Sequence, residues 1–233
     1  MTRAFDAGLQ GIVNIGFDLK ASREAVQIAH DNWNVYAVVG IHPHNAKTLS
    51  KEALAELRET AQDKKVVAIG EIGLDYYRNL SPRTTQLEAF EQQICLARDL
   101  GLPVVIHDRE AHADILEVLR GHGKEVTGVM HCFSGSLEMA EEMIGLGYLI
   151  SIAGPVTFPN AGKLHQLVQK LPEESIVLET DCPWLSPQSR RGKRNEPAYI
   201  LETAGKIAEL RGVSLEDLTK ATTRNAKQLF RLR

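Results

Sequence analysis

Seven short apolar runs, beginning near residues 11, 35, 66, 104, 128, 148 and 176, are each followed by a stretch with helical periodicity. Strict strand-then-helix alternation implies a parallel sheet with right-handed crossovers, because parallel neighbours cannot be joined by a tight turn. Two architectures satisfy the pattern, a TIM-type (β/α) barrel and a doubly wound open sheet. The barrel is preferred because residues that bind metals recur where the runs end, and a barrel gathers those ends on one face. A closed barrel of this kind uses eight strands, whereas seven βα units are visible here. Met1 to Gln10 reads as the tail of a helix whose strand is absent. The expectation is an α/β fold, a TIM-type barrel with its first strand missing.

A chain of 233 residues suits one large α/β domain, and no low-complexity tract or interior linker divides it, so residues 1–233 are read as a single domain. The net charge of −3 gives no overall attraction to nucleic acid or membrane, so a polyanion-binding surface has to be local. Cys95, Cys132 and Cys182 are odd in number and far apart, as expected of reduced thiols in the cytoplasm rather than a disulfide framework. No apolar run is long enough to span a membrane, and the N-terminus lacks the plan of a signal peptide.

The most informative stretch is Val66 to Tyr77. Val66 to Ile69 reads as a strand buried on both faces; Gly70 and Gly73 then let the backbone turn around Glu71. A carboxylate at such a strand tip costs free energy unless a cation or hydrogen bonds compensate it. Three other runs end the same way, in His107, His131 and Asp181. Helix signals between the runs include Ser50 as a cap, Ser81-Pro82 as a start, and Gly101 and Gly121 as stops. Leu87, Phe90, Ile94 and Ala97 form the apolar stripe of the long helix. Ser214 and Asp217 make a capping box for a small helix, with a last helix from Thr223 to Leu232.

Glu71, His107, His131 and Asp181 are nitrogen and oxygen ligands suited to Mg²⁺, Mn²⁺ or Zn²⁺. Any one of them alone has a structural reading; four at strand ends of one barrel point to a metal centre. A shared carboxylate such as Glu71 could bridge two cations, and Asp181 could ligate one of them and take a proton from the attacking water. Arg190 to Asn195 is the one concentrated basic patch. Within it Arg191, Lys193 and Arg194 are expected to contact phosphate, as is Arg109, two residues past His107. Tyr76, Tyr77, Phe133 and Trp184 could stack on bases or plug the barrel mouth, and plugging is preferred for Phe133.

Six segments carry a resemblance: Gly40 to His44, Gly70 to Tyr76, Ile106 to Arg109, His131 to Gly135, Thr180 to Leu185 and Arg191 to Pro197. In this order they are similar to the TatD family of metal-dependent deoxyribonucleases, from about Gly8 to the C-terminus. The resemblance implies an amidohydrolase-type barrel with two divalent metals, Mg²⁺ foremost. Glu71 would bridge them, with His107 and His131 on one metal and Asp181 on the other. It also implies hydrolysis of DNA phosphodiesters from the 3′ end of single strands, and places His42 on the substrate-phosphate side. The family's first strand ends in a His-x-His pair that this chain lacks, so one metal site is expected to be incomplete. Two other classes stay open: an ester or amide hydrolase, such as an aminoacyl-tRNA deacylase, and an inactive nucleic-acid-binding relative.

Overall fold

The computed structural model describes residues 1–232. Its elements in chain order begin with α1 (Thr2–Asp6), β1 (Ile12–Ile15), α2 (Leu19–Asp31), β2 (Val35–Val39), α3 (Lys51–Thr60) and β3 (Val66–Asp75). Next come α4 (Arg83–Leu100), β4 (Val104–Arg109), α5 (His112–His122), β5 (Gly128–Met130) and α6 (Leu137–Gly145). The chain continues through β6 (Tyr148–Ile152), α7 (Gly162–Lys170), β7 (Ile176–Leu178), α8 (Ile200–Arg211) and α9 (Leu215–Leu229). All seven expected strands are present. The expectation of a lost leading strand finds no support in this fold, in which seven parallel strands form.

The chain packs as two compact units. The first comprises Gly11–His131 with Leu146–Tyr148. Its strands β1 to β5 pair in parallel and in sequence order: Ile12 lies opposite Val35, Val38 opposite Ala68, Ile72 opposite Ile106, and Ile106 opposite Met130. A doubly wound sheet needs a reversal of strand order, and no reversal occurs among these five. Val38, Ala68, Ile69, Ile72, Val104 and Ile106 are buried, as continuous apolar runs in a covered parallel sheet should be.

β3 departs from the sequence expectation. It does not end at Ile69 but continues through both glycines to Asp75. The sheet accommodates this with a register shift between Ile69 and Ile72, after which Gly73 pairs with His107 and Asp75 with Arg109. The glycines therefore let the strand pass close to its neighbours rather than end it. A Cβ on Gly40 would meet the Gly70 carbonyl oxygen at 2.6 Å, and one on Gly70 would meet Val105 at 2.7 Å.

Helix ends show three further differences. Ser81 is fully buried and donates its hydroxyl to the His44 carbonyl at 2.9 Å, so α4 starts at Arg83 with Pro82 before it. α5 runs past Gly121 and stops at Gly123, whose φ of 55° suits a residue without a Cβ. The two short C-terminal helices expected are one, α9; Ser214 caps it by accepting from the Asp217 amide at 3.0 Å. Ser50 caps α3 and Gly101 closes α4 in the left-handed conformation, as expected.

The second unit contains Met1–Gln10, Cys132–Gly145 and the chain from Leu149 onward. Here β6 and β7 pair in parallel, Ile150 opposite Ile176 and Ile152 opposite Leu178. The Arg3 guanidinium ties α1 to Glu196, with its Nε 3.0 Å from a carboxylate oxygen.

Candidate functional site

Within the first unit the strand ends deliver four histidines and two carboxylates to one cluster. Glu71 lies on β3 and His107 on β4, while His131 follows β5 and is held beside β4 by its amide, 2.9 Å from the Ile106 carbonyl. His42 follows β2 and opens a 3₁₀ turn, Pro43–Thr48. The residue before it, Ile41, is fixed through both backbone groups by the buried amide of Gln93 on α4, at 2.7 and 3.0 Å.

Three imidazoles converge on a single oxygen. Glu71 Oε1 lies 2.7 Å from His107 Nδ1, 3.6 Å from His131 Nε2 and 3.6 Å from His42 Nε2. The first separation is a hydrogen bond and the other two are too long for one. The His131 separation matches two ligands of one ion instead: with bonds of about 2.0–2.2 Å, ligands of a tetrahedral centre stand roughly 3.3–3.6 Å apart. The donor atoms of His42, Glu71 and His107 lie within 4.8 Å of one another. This mixed nitrogen and oxygen set fits a divalent ion.

The surroundings separate ligand from donor. His42 Nδ1 accepts the His44 amide hydrogen at 3.1 Å, which in the neutral ring puts the hydrogen on Nε2, facing Glu71. Burial lowers the His42 pKa, and the adjacent Glu71 offsets this only in part, so the neutral ring is favoured. His42 is thus built to donate, and His107 and His131 are the better ligands. Burial pushes the Glu71 carboxyl upward, but the imidazoles of His131, His107 and His42 outweigh it and hold the group well below the usual carboxylate range. For His107, burial is overcome by its bonds to Asp75 and Glu71, and its pKa rises to about 9.

Asp75 is the second carboxylate, and its side chain is fully buried. Its Oδ2 lies 2.8 Å from His44 Nε2 and 3.1 Å from His107 Nε2, and its Oδ1 accepts the Arg78 amide at 2.7 Å. Burial raises its pKa, but these bonds more than compensate and depress it. Neither His44 nor Asp75 stood out in the sequence as part of the site. Nor did Gln86, whose amide bonds both backbone groups of Asp75 at 2.8 and 3.2 Å. A signal was present: Gln86 and Gln93 lie seven residues apart on the buried face of α4, amid Phe90, Ile94 and Ala97. Polar side chains on an apolar stripe need partners.

Arg109 ends β4, exposed, with its guanidinium 4.0 Å from the centre of the Tyr77 ring. Tyr76 is engaged elsewhere, with its hydroxyl on Asp114 and Arg83 stacked over its ring at 4.2 Å. Asp181, Arg191, Lys193 and Arg194 belong to the second unit. Asp181 follows β7 with a φ of 53°, and its carbonyl accepts the Trp184 amide at 2.9 Å. Arg191, Lys193 and Arg194 are exposed, but Asn195 beside them is buried. Phe133 is buried as well, in keeping with a packing role, whereas Trp184 is 70% exposed.

Imidazoles around a half-buried carboxylate, toward the C-terminal ends of successive parallel strands, define a metal-dependent hydrolase of the TIM type. The family described as "TatD related DNase" matches residues 1–231, and the chain belongs to it. An uncharacterized metal-dependent hydrolase, YabD of Bacillus subtilis, is 43% identical over 231 residues, covering 99% of this chain and 91% of the relative. A relative from Erwinia amylovora named "3'-5' ssDNA/RNA exonuclease TatD" is 37% identical, covering 99% and 92%. Among solved structures, YjjV, a TatD homolog from Escherichia coli, superposes with a TM-score of 0.94. It is 31% identical, with 100% of this chain and 90% of that one covered.

Proposed function

We propose that this protein is a nuclease that hydrolyses DNA phosphodiesters with divalent metal ions, acting as a 3′-5′ exonuclease on single strands. The observation that carries the reading is the convergence of His107, His131 and His42 on Glu71 Oε1. The full-length match to a DNase family, and the exonuclease name of the Erwinia relative, support the choice of substrate.

In this reading Glu71, His107 and His131 hold one ion, and Glu71 is shared with a second. Asp181 enters as a ligand of that second ion and as proton acceptor, on the resemblance of its motif. A bound divalent ion would polarise a phosphoryl oxygen and acidify a water molecule. Mg²⁺ is the first choice from the family resemblance; the imidazole-rich donor set also suits Mn²⁺ and Zn²⁺. His42, with its hydrogen on Nε2, would donate to a phosphate oxygen. Arg109, Arg191, Lys193 and Arg194 would hold the backbone of the strand through charge rather than base identity. The proposal takes residues 1–233 as one hydrolase domain working in the cytoplasm. Cys95, Cys132 and Cys182 form no disulfide. No helix among the described residues is long and apolar enough to cross a membrane.

The test uses a 5′-labelled single-stranded oligonucleotide with protein stripped of metal and resupplied with Mg²⁺, Mn²⁺ or Zn²⁺. A ladder shortening from the 3′ end is expected, and Glu71→Ala should abolish it. Undiminished cleavage by that variant rejects the assignment.

A further inference from the structure

The Asp75 carboxylate has no place yet in this chemistry, although it is the most deeply buried acid of the cluster. Its Oδ2 faces two ring nitrogens at once, His107 Nε2 at 3.1 Å and His44 Nε2 at 2.8 Å. A carboxylate accepts and cannot donate, so each of these nitrogens carries a hydrogen. By the same rule His107 Nδ1 donates to Glu71 at 2.7 Å, and this is the hydrogen that an ion bound there would displace.

The position of Asp75 is itself over-determined. Gln86, fully buried on α4, accepts the Asp75 amide hydrogen at 2.8 Å and donates to its carbonyl at 3.2 Å. The same Gln86 nitrogen lies 2.7 Å from the Ser81 carbonyl, and the Ser81 hydroxyl donates to the His44 carbonyl at 2.9 Å. From His44 the path returns to Asp75 through the ring. The loop is closed: His44, Asp75, Gln86, Ser81 and back to His44. One face of α4 thereby sets where the carboxylate sits, and the carboxylate sets how two imidazoles are turned.

We propose that Asp75 is the positioning residue of the metal centre, orienting His107 and His44 together through their Nε2 hydrogens so that His107 meets the metal through Nδ1. The inference rests on the metal-dependent reading above and extends it by naming the ligand atom and the group that selects it. Outer carboxylates of this kind fix the ring and raise the basicity of the nitrogen that binds. Because one oxygen serves both rings, His44 is turned by the same group as His107. Asp75 touches neither metal nor substrate in this role.

Two measurements test it. The first is ¹⁵N NMR of the histidine side chains in the wild-type protein, metal-free and then with Mg²⁺ or Zn²⁺, with signals assigned from His44→Gln and His107→Gln spectra. Slowly exchanging hydrogens are expected on Nε2 of both rings, and on metal addition the large shift should fall on His107 Nδ1. A His107 ring with its hydrogen on Nδ1 and a bare Nε2 overturns the proposal. The second is calorimetric titration of Asp75→Asn with the same ions. Its single acceptor oxygen cannot serve the Arg78 amide and both rings as the two carboxylate oxygens do, so affinity should fall by about 10–100-fold, the range seen when such outer partners are lost. Wild-type affinity in that variant also overturns it. If Asp75→Asn does not fold, the wild-type spectra decide alone. If the wild type binds no divalent ion, the metal-dependent reading fails, while the metal-free spectra still decide whether Asp75 orients both rings.

Discussion

A Cβ on Gly73 would lie 2.0 Å from the carbonyl oxygen of His107. The two residues are partners in the β3–β4 ladder, and the contact is possible because residue 73 has no side chain and a φ of 134°. Through this approach His107 is delivered within hydrogen-bond distance of Glu71 and Asp75 at once.

Gly73→Ala should therefore separate β3 from β4. The strained φ and the overlap with backbone together imply a loss of about 2–6 kcal/mol. Urea unfolding should show the drop, and any folded fraction should bind divalent ions poorly. A midpoint matching wild type would mean that the two strands tolerate a wider spacing than the structure shows.

The paired charges of the cluster give stability a definite pH dependence in metal-free protein. His107 is raised from 6.5 to about 9, so its contribution is complete below pH 6.5 and is lost as pH rises through about 9. Glu71 is depressed from 4.5, so its contribution is present above pH 4.5 and is lost as pH falls through its lower folded-state value. Calorimetry with a chelator present should thus show thermal stability declining between pH 6.5 and 9, and His107→Gln should flatten that decline. Divalent-ion affinity should rise over the same interval, because the ion displaces the His107 proton. The same slope in His107→Gln would assign the titration to another group.

Asn195 braces the loop after β7. Its side-chain nitrogen donates to the carbonyls of Thr180 and Trp184 at 2.7 and 2.6 Å, and its amide to that of Pro183 at 3.1 Å. Asn195→Ala removes these two side-chain bonds, and the one its side-chain oxygen accepts from the Glu196 amide at 2.9 Å, and leaves the exposed basic segment Arg190 to Arg194 tethered less firmly. Trypsin should then nick that segment faster, by about 5–30-fold for a local loss of 1–2 kcal/mol. An unchanged cleavage rate would show that the loop is held by other contacts.

Strand content was legible because burial on both faces leaves a run of β-branched residues, as in Val66 to Ile69 and Val104 to Ile106. The end of β3 was misread because glycines next to a carboxylate look like a turn. The same residues serve an extended strand whose neighbours come unusually close, and only the neighbours reveal that. Ser81 was misread for a related reason: as a cap it has a local partner, but its actual acceptor, the His44 carbonyl, is 37 residues away. His42 was placed on the substrate side from its motif, and the structure sets it within the Glu71 cluster with its hydrogen facing inward.

The sequence by itself determined which metal-ligand side chains adjoin the apolar runs, since period and composition are local properties of the chain. Glu71, His107 and His131 stand out on that basis, although Glu71 lies within β3 rather than at its end. The tertiary structure alone decided how these groups face one another and which nitrogen of each ring is available. It decided as well that His44, Asp75, Gln86 and Ser81 form a closed path behind them. Such relationships depend on strand register and on bonds between residues distant in sequence, where a shift of one position changes every partner.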